Sequence, residues 1–509
     1  MDRTIRQTGA RLRPRTSRGR ALLGGVTLTQ VWALLVPVAF LVFLLGSQVG
    51  FIDLGYHLRA GEWMWTHGRW LDHDVFTFTV PGKDWLNQNW LAQVGLYWIA
   101  RLGGAEWLVA LNALLFTSGF ALLLRVSYTR SKEIRTAAFA CVVAVLPSVY
   151  NTAVRPQSVS WLFMAVVLYV LETSHERPKR VLLIIPLTAL WANTHGAFPV
   201  ALMFLFIETG CALWDRARAT SQERRFRYLA VAATLSPLAA LANPWGWRVY
   251  EYVAGIGNNP TIRNTIEEWQ PPTVTTTAGA LFFISVAAVV AAVALSRVRL
   301  SARDLLRLAL GAVLGLLAIR NGLWWTMAAA PPLASLLTPV AGKLKATASG
   351  ERPTRLNLGI LVALGVVVVL TSPWLRAVSP LVPESRESLV RASTPVKAAG
   401  FLRSHDFEGN MFNSQSFGSY LELAAPQHPT FIDSRIELFT DELWSEYRDV
   451  LTAAPGWGDI LSKRDIGYLV VTRHPKPVLI GALEESEDWK LAYSDRVALI
   501  YTRTRAADG

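Results

Sequence analysis

Long apolar blocks separated by short polar joints fill the first three quarters of the chain. Eleven of them are predicted as helices, near residues 29–51, 106–127, 136–153, 157–173, 181–194, 197–214, 228–243, 277–296, 306–320, 323–341 and 356–374. A helix of about 20 apolar residues spans the ~30 Å hydrocarbon layer of a bilayer. The joints are of two kinds. One carries Arg130/Lys132/Arg135, Arg177/Lys179/Arg180, Arg224/Arg225/Arg227, Arg297/Arg299/Arg303 and Lys343/Lys345. The other carries Asp53, Arg155, His195, Asn243, Glu267, Glu268 and Arg320. Lysine and arginine collect on the cytoplasmic side of a membrane. The pattern therefore predicts a cytoplasmic N-terminus, with the second set of joints facing outward.

This reading divides the chain into a basic cytoplasmic segment (1–28), a transmembrane domain (29–374) with long outer loops at 52–105 and 244–276, and an extracytoplasmic tail (375–509). In the first loop, Gly55–His67 and Gln88–Leu102 are expected as helices lying in the membrane plane, because their Trp and Tyr residues favour the head-group layer. The tail changes pattern. Short apolar runs at Asn410–Phe412, Thr430–Asp433, Gly467–Thr472, Leu491–Tyr493 and Val497–Thr502 alternate with helical stretches at Asp441–Ala453 and Val478–Leu483, and the last two runs are spaced as a hairpin. The expected fold is a polytopic α-helical membrane protein with about eleven spans and a soluble α/β domain at its C-terminal end.

Composition agrees. Of 509 residues 52% are hydrophobic, 20 are Trp and only 17% are charged, against about a quarter charged in soluble proteins. A net charge of +13 would suit nucleic acid, but its placement does not. Arg3, Arg6, Arg11, Arg13, Arg15, Arg18 and Arg20 precede the first span, and most other cations lie in the joints. That is a topology signal with attraction to anionic lipid, so no nucleic-acid partner is expected. The first apolar run is too long for a cleavable signal peptide. Cys141 and Cys211 fall inside spans and read as packing residues. The tail carries neither a Walker loop nor a dinucleotide glycine fingerprint.

The polar residues on the outward side are candidates for chemistry. Asp53 heads DLGYHLRAGEW. It reads either as the N-cap of the following helix or as a general base or metal ligand at the lipid–water boundary, with His57 one turn on. Asp72, His73 and Asp74 can be a hydrated turn or oxygen and imidazole ligands for Mg²⁺ or Mn²⁺. Asn87, Gln88 and Asn89 suit a hydroxyl-rich ligand or a helix cap. Arg155 (in Arg-Pro-Gln) and Arg320 either snorkel to lipid phosphate or clamp a phosphate bidentately. His195 sits in a tight turn before Gly196. Glu267 and Glu268 stand beside Trp269, a pairing that can bind a sugar or end a helix.

An acidic residue directly after the first span, then surface helices, an acidic turn at Gly68–Asp74, and a Pro81–Gly82 turn leading to the second span form a set. The chain thereby resembles the GT-C superfamily of integral-membrane glycosyltransferases, which includes protein O-mannosyltransferases and lipid A aminoarabinose transferases. It is also similar to a group of bacterial membrane proteins near that superfamily, whose tail carries stretches like FNSQSFGSYL (412–421) and FIDSRIELF (431–439). The resemblance implies a sugar donor on polyprenyl phosphate at the outer face of the cytoplasmic membrane, with a glycan, lipid or protein as acceptor. It implies Asp53 as base or metal ligand, Arg155 or Arg320 as phosphate ligand, and Asp433 with Arg435 either covering the site or pairing together; from the acidic turn, Asp74 is the candidate second ligand to a divalent cation. Where an Asp-Glu pair is common in the superfamily, this chain has Asp53-Leu54. A transporter of lipid-linked glycans or solutes, or a non-catalytic scaffold for envelope glycan assembly, is the alternative.

Overall fold

The structure, a computed structural model, describes residues 25–218, 223–345 and 353–504. The N-terminal arginines lie outside the described residues, as do the side chains of Lys343 and Lys345. Helices cover each of the eleven apolar blocks: α1 (Leu28–Leu45), α2 (Phe51–His67), α3 (Trp90–Ser131), α4 (Ile134–Val145), α5 (Gln157–Thr173), α6 (Ile184–Ala192), α7 (Phe198–Ala217), α8 (Glu223–Ala239), α9 (Arg248–Asn258), α10 (Pro260–Thr265), α11 (Thr277–Leu295), α12 (Ala302–Leu317), α13 (Gly322–Lys345) and α14 (Arg355–Leu370). Of these, α2, α9 and α10 belong to the two long loops. Five helical stretches among the described residues, Leu28–Leu45, Trp90–Ser131, Ile134–Asn151, Phe198–Ala217 and Thr277–Leu295, are long and apolar enough to cross a membrane. The protein is a membrane protein. Its starts are written in the sequence: Thr27 with Gln30, and Ser301 with Asp304, form capping boxes that satisfy the free N–H groups opening α1 and α12.

Several basic joints are not free loops. Arg225 and Arg307 are buried and, with Arg303, surround the buried Glu208; Arg130 bridges Glu172 (2.6 Å) and Asp304 (2.7 Å). Their charges lock α3, α5, α7, α8 and α12 together at one end of the bundle. Apolar lipid gives helices no hydrophobic reason to associate, so such polar links and close packing hold the bundle. Cys141 and Cys211 are both unpaired.

The first long loop departs from its expectation. Asp53 is not an N-cap: Gly50 holds that position and Asp53 lies in the first turn of α2. α2 also packs within the protein. It is pressed between α3 and the tail helix α16 (Gln415–Ala424), so closely that a Cβ on Gly55 would fall 2.1 Å from the Ser419 carbonyl oxygen and one on Gly61 2.2 Å from that of Gln93. The second surface helix is continuous with the next span, bending at Gly103 and Gly104, where φ of +63° at Gly104 requires glycine.

The tail adds α15 (Val396–Arg403), α16, α17 (Asp441–Leu451), α18 (Trp457–Lys463) and α19 (Val478–Glu485) to β1 (Asn410–Asn413), β2 (Ile466–Thr472), β3 (Trp489–Ser494) and β4 (Ala498–Arg503). The sheet order is β1-β2-β4-β3, with β1 parallel to β2 and the remaining pairs antiparallel. The hairpin of the last two runs is present. Thr430–Asp433 is not a strand; Thr430 makes a single bridge to Thr77 of the first loop. That bridge marks a shared core. Trp63, Leu71, Phe76 and Trp85 of the loop pack in one apolar cluster with Phe412, Phe431, Trp444 and Tyr447 of the tail.

Candidate functional site

Four short polar segments meet at one end of the helix bundle. Asp53 projects from the first turn of α2, where the helix dipole favours an anion. Arg155 precedes Pro156, the residue that opens α5. Glu268 sits in a 3-10 turn (Glu267–Trp269) before α11, and Arg320 in another (Ile319–Asn321) before α13. The two turns are tied by the Ile319 amide donating to the Gln270 carbonyl (2.9 Å).

The four charges alternate in a row. Arg155 Nε lies 3.1 Å from Asp53, and its Nη1 donates to both carboxylate oxygens of Glu268 at 3.1 Å. Arg320 Nη1 reaches Glu268 at 3.2 Å and Nη2 reaches Gln157 at 3.3 Å. Side-chain exposures of 22% to 27% leave all four open to a ligand without immersing them in bulk water. The charge of Asp53, then that of Glu268, holds the Arg155 guanidinium protonated more firmly than usual. The Arg320 guanidinium lies 4.4 Å over the Trp269 ring, so one face of the indole expected to stack on a sugar is covered by a cation. Glu267 is exposed and stands apart from Glu268.

Two histidines flank the row. His57 is buried one turn beyond Asp53; burial, then the Arg155 and Arg435 charges, push its pKa down to about 3. Its Nδ1 pairs with the Gln93 amide (3.1 Å), which Asn87 holds in turn (2.7 Å). His195 Nδ1 pairs with the Ser160 hydroxyl (2.8 Å), itself an acceptor from Trp191 (2.7 Å), and enclosure with the charge of Arg320 takes its pKa to about 3 as well. Both rings are neutral at ordinary pH and act as hydrogen-bonding groups. Gln88 is spent on the Ala192 carbonyl (3.2 Å), fastening the first loop to the turn after α6. Asn89 opens α3 without a side-chain cap, its buried Oδ1 unpaired among the described residues.

A second polar cluster lies between loop and tail. Arg435 is buried and held by Asp433 and by Asp74 (2.7 Å), with its guanidinium 4.7 Å from the Trp85 ring and 5.1 Å from that of Phe76. Asp433 and Arg435 thus pair together, as one of the two expectations had it. Nearby Glu422 is pushed well above the usual carboxylate range by burial and by the charge of Asp433, and takes the Thr430 hydroxyl at 2.9 Å. Asp74 also accepts from the Thr77 amide and hydroxyl, whereas Asp72 is exposed and bonded to His73 at 2.7 Å. Adjacent acidic residues therefore serve different ends.

This division bears on a divalent cation. Asp53 belongs to the first cluster and Asp74 to the second, and among the described residues no three His, Cys, Asp or Glu side chains converge as a ligand set. The residues present do not fit a cation held jointly by Asp53 and Asp74.

Gln157 of the Arg-Pro-Gln motif, and Gln93 and Ser160, whose spacing to the histidines is set only by tertiary packing, were not among the residues expected at the site. Glu422 lies one residue past the 412–421 stretch.

The fold is found in solved membrane glycosyltransferases. Arabinofuranosyltransferase AftD from Mycobacteria aligns with a TM-score of 0.55 at 16% identity over 94% of this chain and 42% of that one. The oligosaccharyltransferase of Archaeoglobus fulgidus aligns with a TM-score of 0.53 at 12% identity over 87% of this chain and 69% of that one; it has also been solved with an inhibitory peptide and a dolichol-phosphate. At these identities the likeness is one of fold. No family model and no curated protein matches the sequence.

Proposed function

We propose that this chain, built on a membrane glycosyltransferase fold, transfers a sugar from a polyprenyl-phosphate donor to an acceptor hydroxyl at the outer face of the cytoplasmic membrane. The observation that carries this reading is the convergence of Asp53, Arg155, Glu268 and Arg320 from four separate segments. Two guanidinia side by side suit a phosphate, and a carboxylate beside them suits a proton acceptor. Asp53 takes the acceptor hydroxyl proton as that oxygen attacks the anomeric carbon. The bond from that carbon to the phosphate oxygen breaks with inversion, and Arg155 and Arg320 neutralise the charge left on the lipid phosphate. Glu268, which now occupies both arginines, yields them to the donor. His57 and His195, uncharged, orient hydroxyls.

The test is transfer from a lipid-linked sugar by the full chain in proteoliposomes. Asp53→Asn is expected to abolish transfer while membrane insertion and chromatographic profile stay unchanged. Undiminished transfer refutes the assignment. Passage of the lipid-linked sugar across the bilayer without transfer would move the protein to the carriers.

A further inference from the structure

Behind α2, on the side away from Asp53, lies a crevice of about 400 Å³. Phe51, Leu58 and Glu62 of α2 line it at helical spacing, whereas Asp53 and His57 point to the opposite side of the same helix. Its far wall is the bend of α3, with Ala105 and Leu108, and Leu423 of the tail closes one end. The floor is apolar and the rim is charged.

Trp65 and Trp98 meet edge to face at 4.7 Å, and Trp107 and Trp374 at 6.2 Å, on the segments that supply its walls or next to them in the chain. Trp65, Trp107 and Trp374 are each about half exposed, and indoles favour the head-group layer of a membrane. The rim charges balance. Arg59 and Glu62 neutralise each other at 2.6 Å. That leaves Arg101, whose one hydrogen bond among the described residues is to the Tyr97 hydroxyl (3.3 Å), and Glu106, which forms no ion pair among them and folds back over Gly104. One cation and one anion beside an apolar slot complement a zwitterion.

We propose that this crevice binds one zwitterionic phospholipid of the phosphatidylethanolamine kind, its acyl chain along Leu58, Ala105, Leu108 and Leu423, its phosphate on Arg101 and its ammonium on Glu106. A bound lipid braces α2 from behind, on the helix whose other face carries Asp53. Binding is independent of any transfer activity.

Native mass spectrometry of the full chain in mild detergent, titrated separately with phosphatidylethanolamine, phosphatidylglycerol and a polyprenyl phosphate, tests this. The wild type should retain one phosphatidylethanolamine in preference to the other two. Ala105→Trp fills the slot and should remove that adduct, and Leu423→Trp, entering from the tail side, should do the same if the first variant fails to fold. Arg101→Glu removes a charge-assisted bond to phosphate and should weaken retention about tenfold. Equal retention by the slot-filling variants overturns the proposal, as does preference for the anionic lipid or for the polyprenyl phosphate.

Discussion

Arg155 stands with its Nε 3.1 Å from the carboxylate of Asp53, while its Nη1 holds Glu268. One guanidinium thus keeps two carboxylates in place, and Asp53 is oriented before any substrate arrives. Replacing Asp53 with Asn keeps the size and removes the base, so we expect transfer to fall by roughly 10²- to 10⁴-fold. Initial rates in proteoliposomes measure it; an unchanged rate excludes the carboxylate from the chemistry.

The arginines are expected to act on the donor. A lysine keeps the charge of Arg155 or Arg320 but loses the planar fork. Each Arg→Lys substitution should lower kcat/KM for the lipid-linked donor by about 10- to 100-fold, the worth of one charge-assisted bond. Glu268→Gln weakens the competitor for both guanidinia and should lower the donor KM. Kinetics at varied donor concentration separate these effects, and an unaltered KM in all three variants would place phosphate elsewhere.

Arg435 is expected to matter for stability. Arg435→Met leaves Asp74 and Asp433 buried without a counter-charge, a situation that costs about 3–5 kcal/mol. Thermal unfolding in detergent should show a large drop, partly restored when Asp74→Asn and Asp433→Asn are added. No drop would mean that water enters the cluster freely.

Acid and base should destabilise the fold for opposite reasons. His57 and His195 have folded-state pKa values near 3 against an ordinary 6.5. The unfolded chain therefore binds more protons between those values, and stability falls as pH drops below about 6.5 towards 3. Glu422 is raised from 4.5, so its contribution is lost as pH climbs above that value. Melting temperatures across pH should show a gentler acid limb in His57→Gln and a gentler alkaline limb in Glu422→Gln. Curves parallel to the wild type would contradict both.

Much of the architecture is legible in the residue order. Helix positions follow from apolar blocks of spanning length, and the turns that carry Arg155, Glu268 and Arg320 are polar joints on one side of them. They meet because segments at the same ends of packed helices are brought together by the bundle. What was not legible depends on tertiary packing. The aromatic residues of α2 read as anchors to the head-group layer, yet Trp63 is buried against the tail, because a membrane surface and a protein core select the same side chains. Arg130, Arg225 and Arg303 read as loop cations, since a sequence does not show that Glu172, Glu208 and Asp304 wait on neighbouring helices. Asp72 and Asp74 share one acidic turn, and the approach of Arg435 to Asp74 is a tertiary contact that the turn does not reveal.

The core joining the first long loop to the tail has a consequence for biogenesis. Thr79 donates to the carbonyl of Phe431, 352 positions later in the chain. During synthesis the loop's aromatic side chains emerge early and wait for their partners until nearly the whole polypeptide has been made. Closure over so long a separation is slow and leaves sticky surface uncovered meanwhile. Ribosome-stalled intermediates halted before Asn410 should therefore be captured by chaperones and cut by protease within the loop, and release of the remaining residues should protect it.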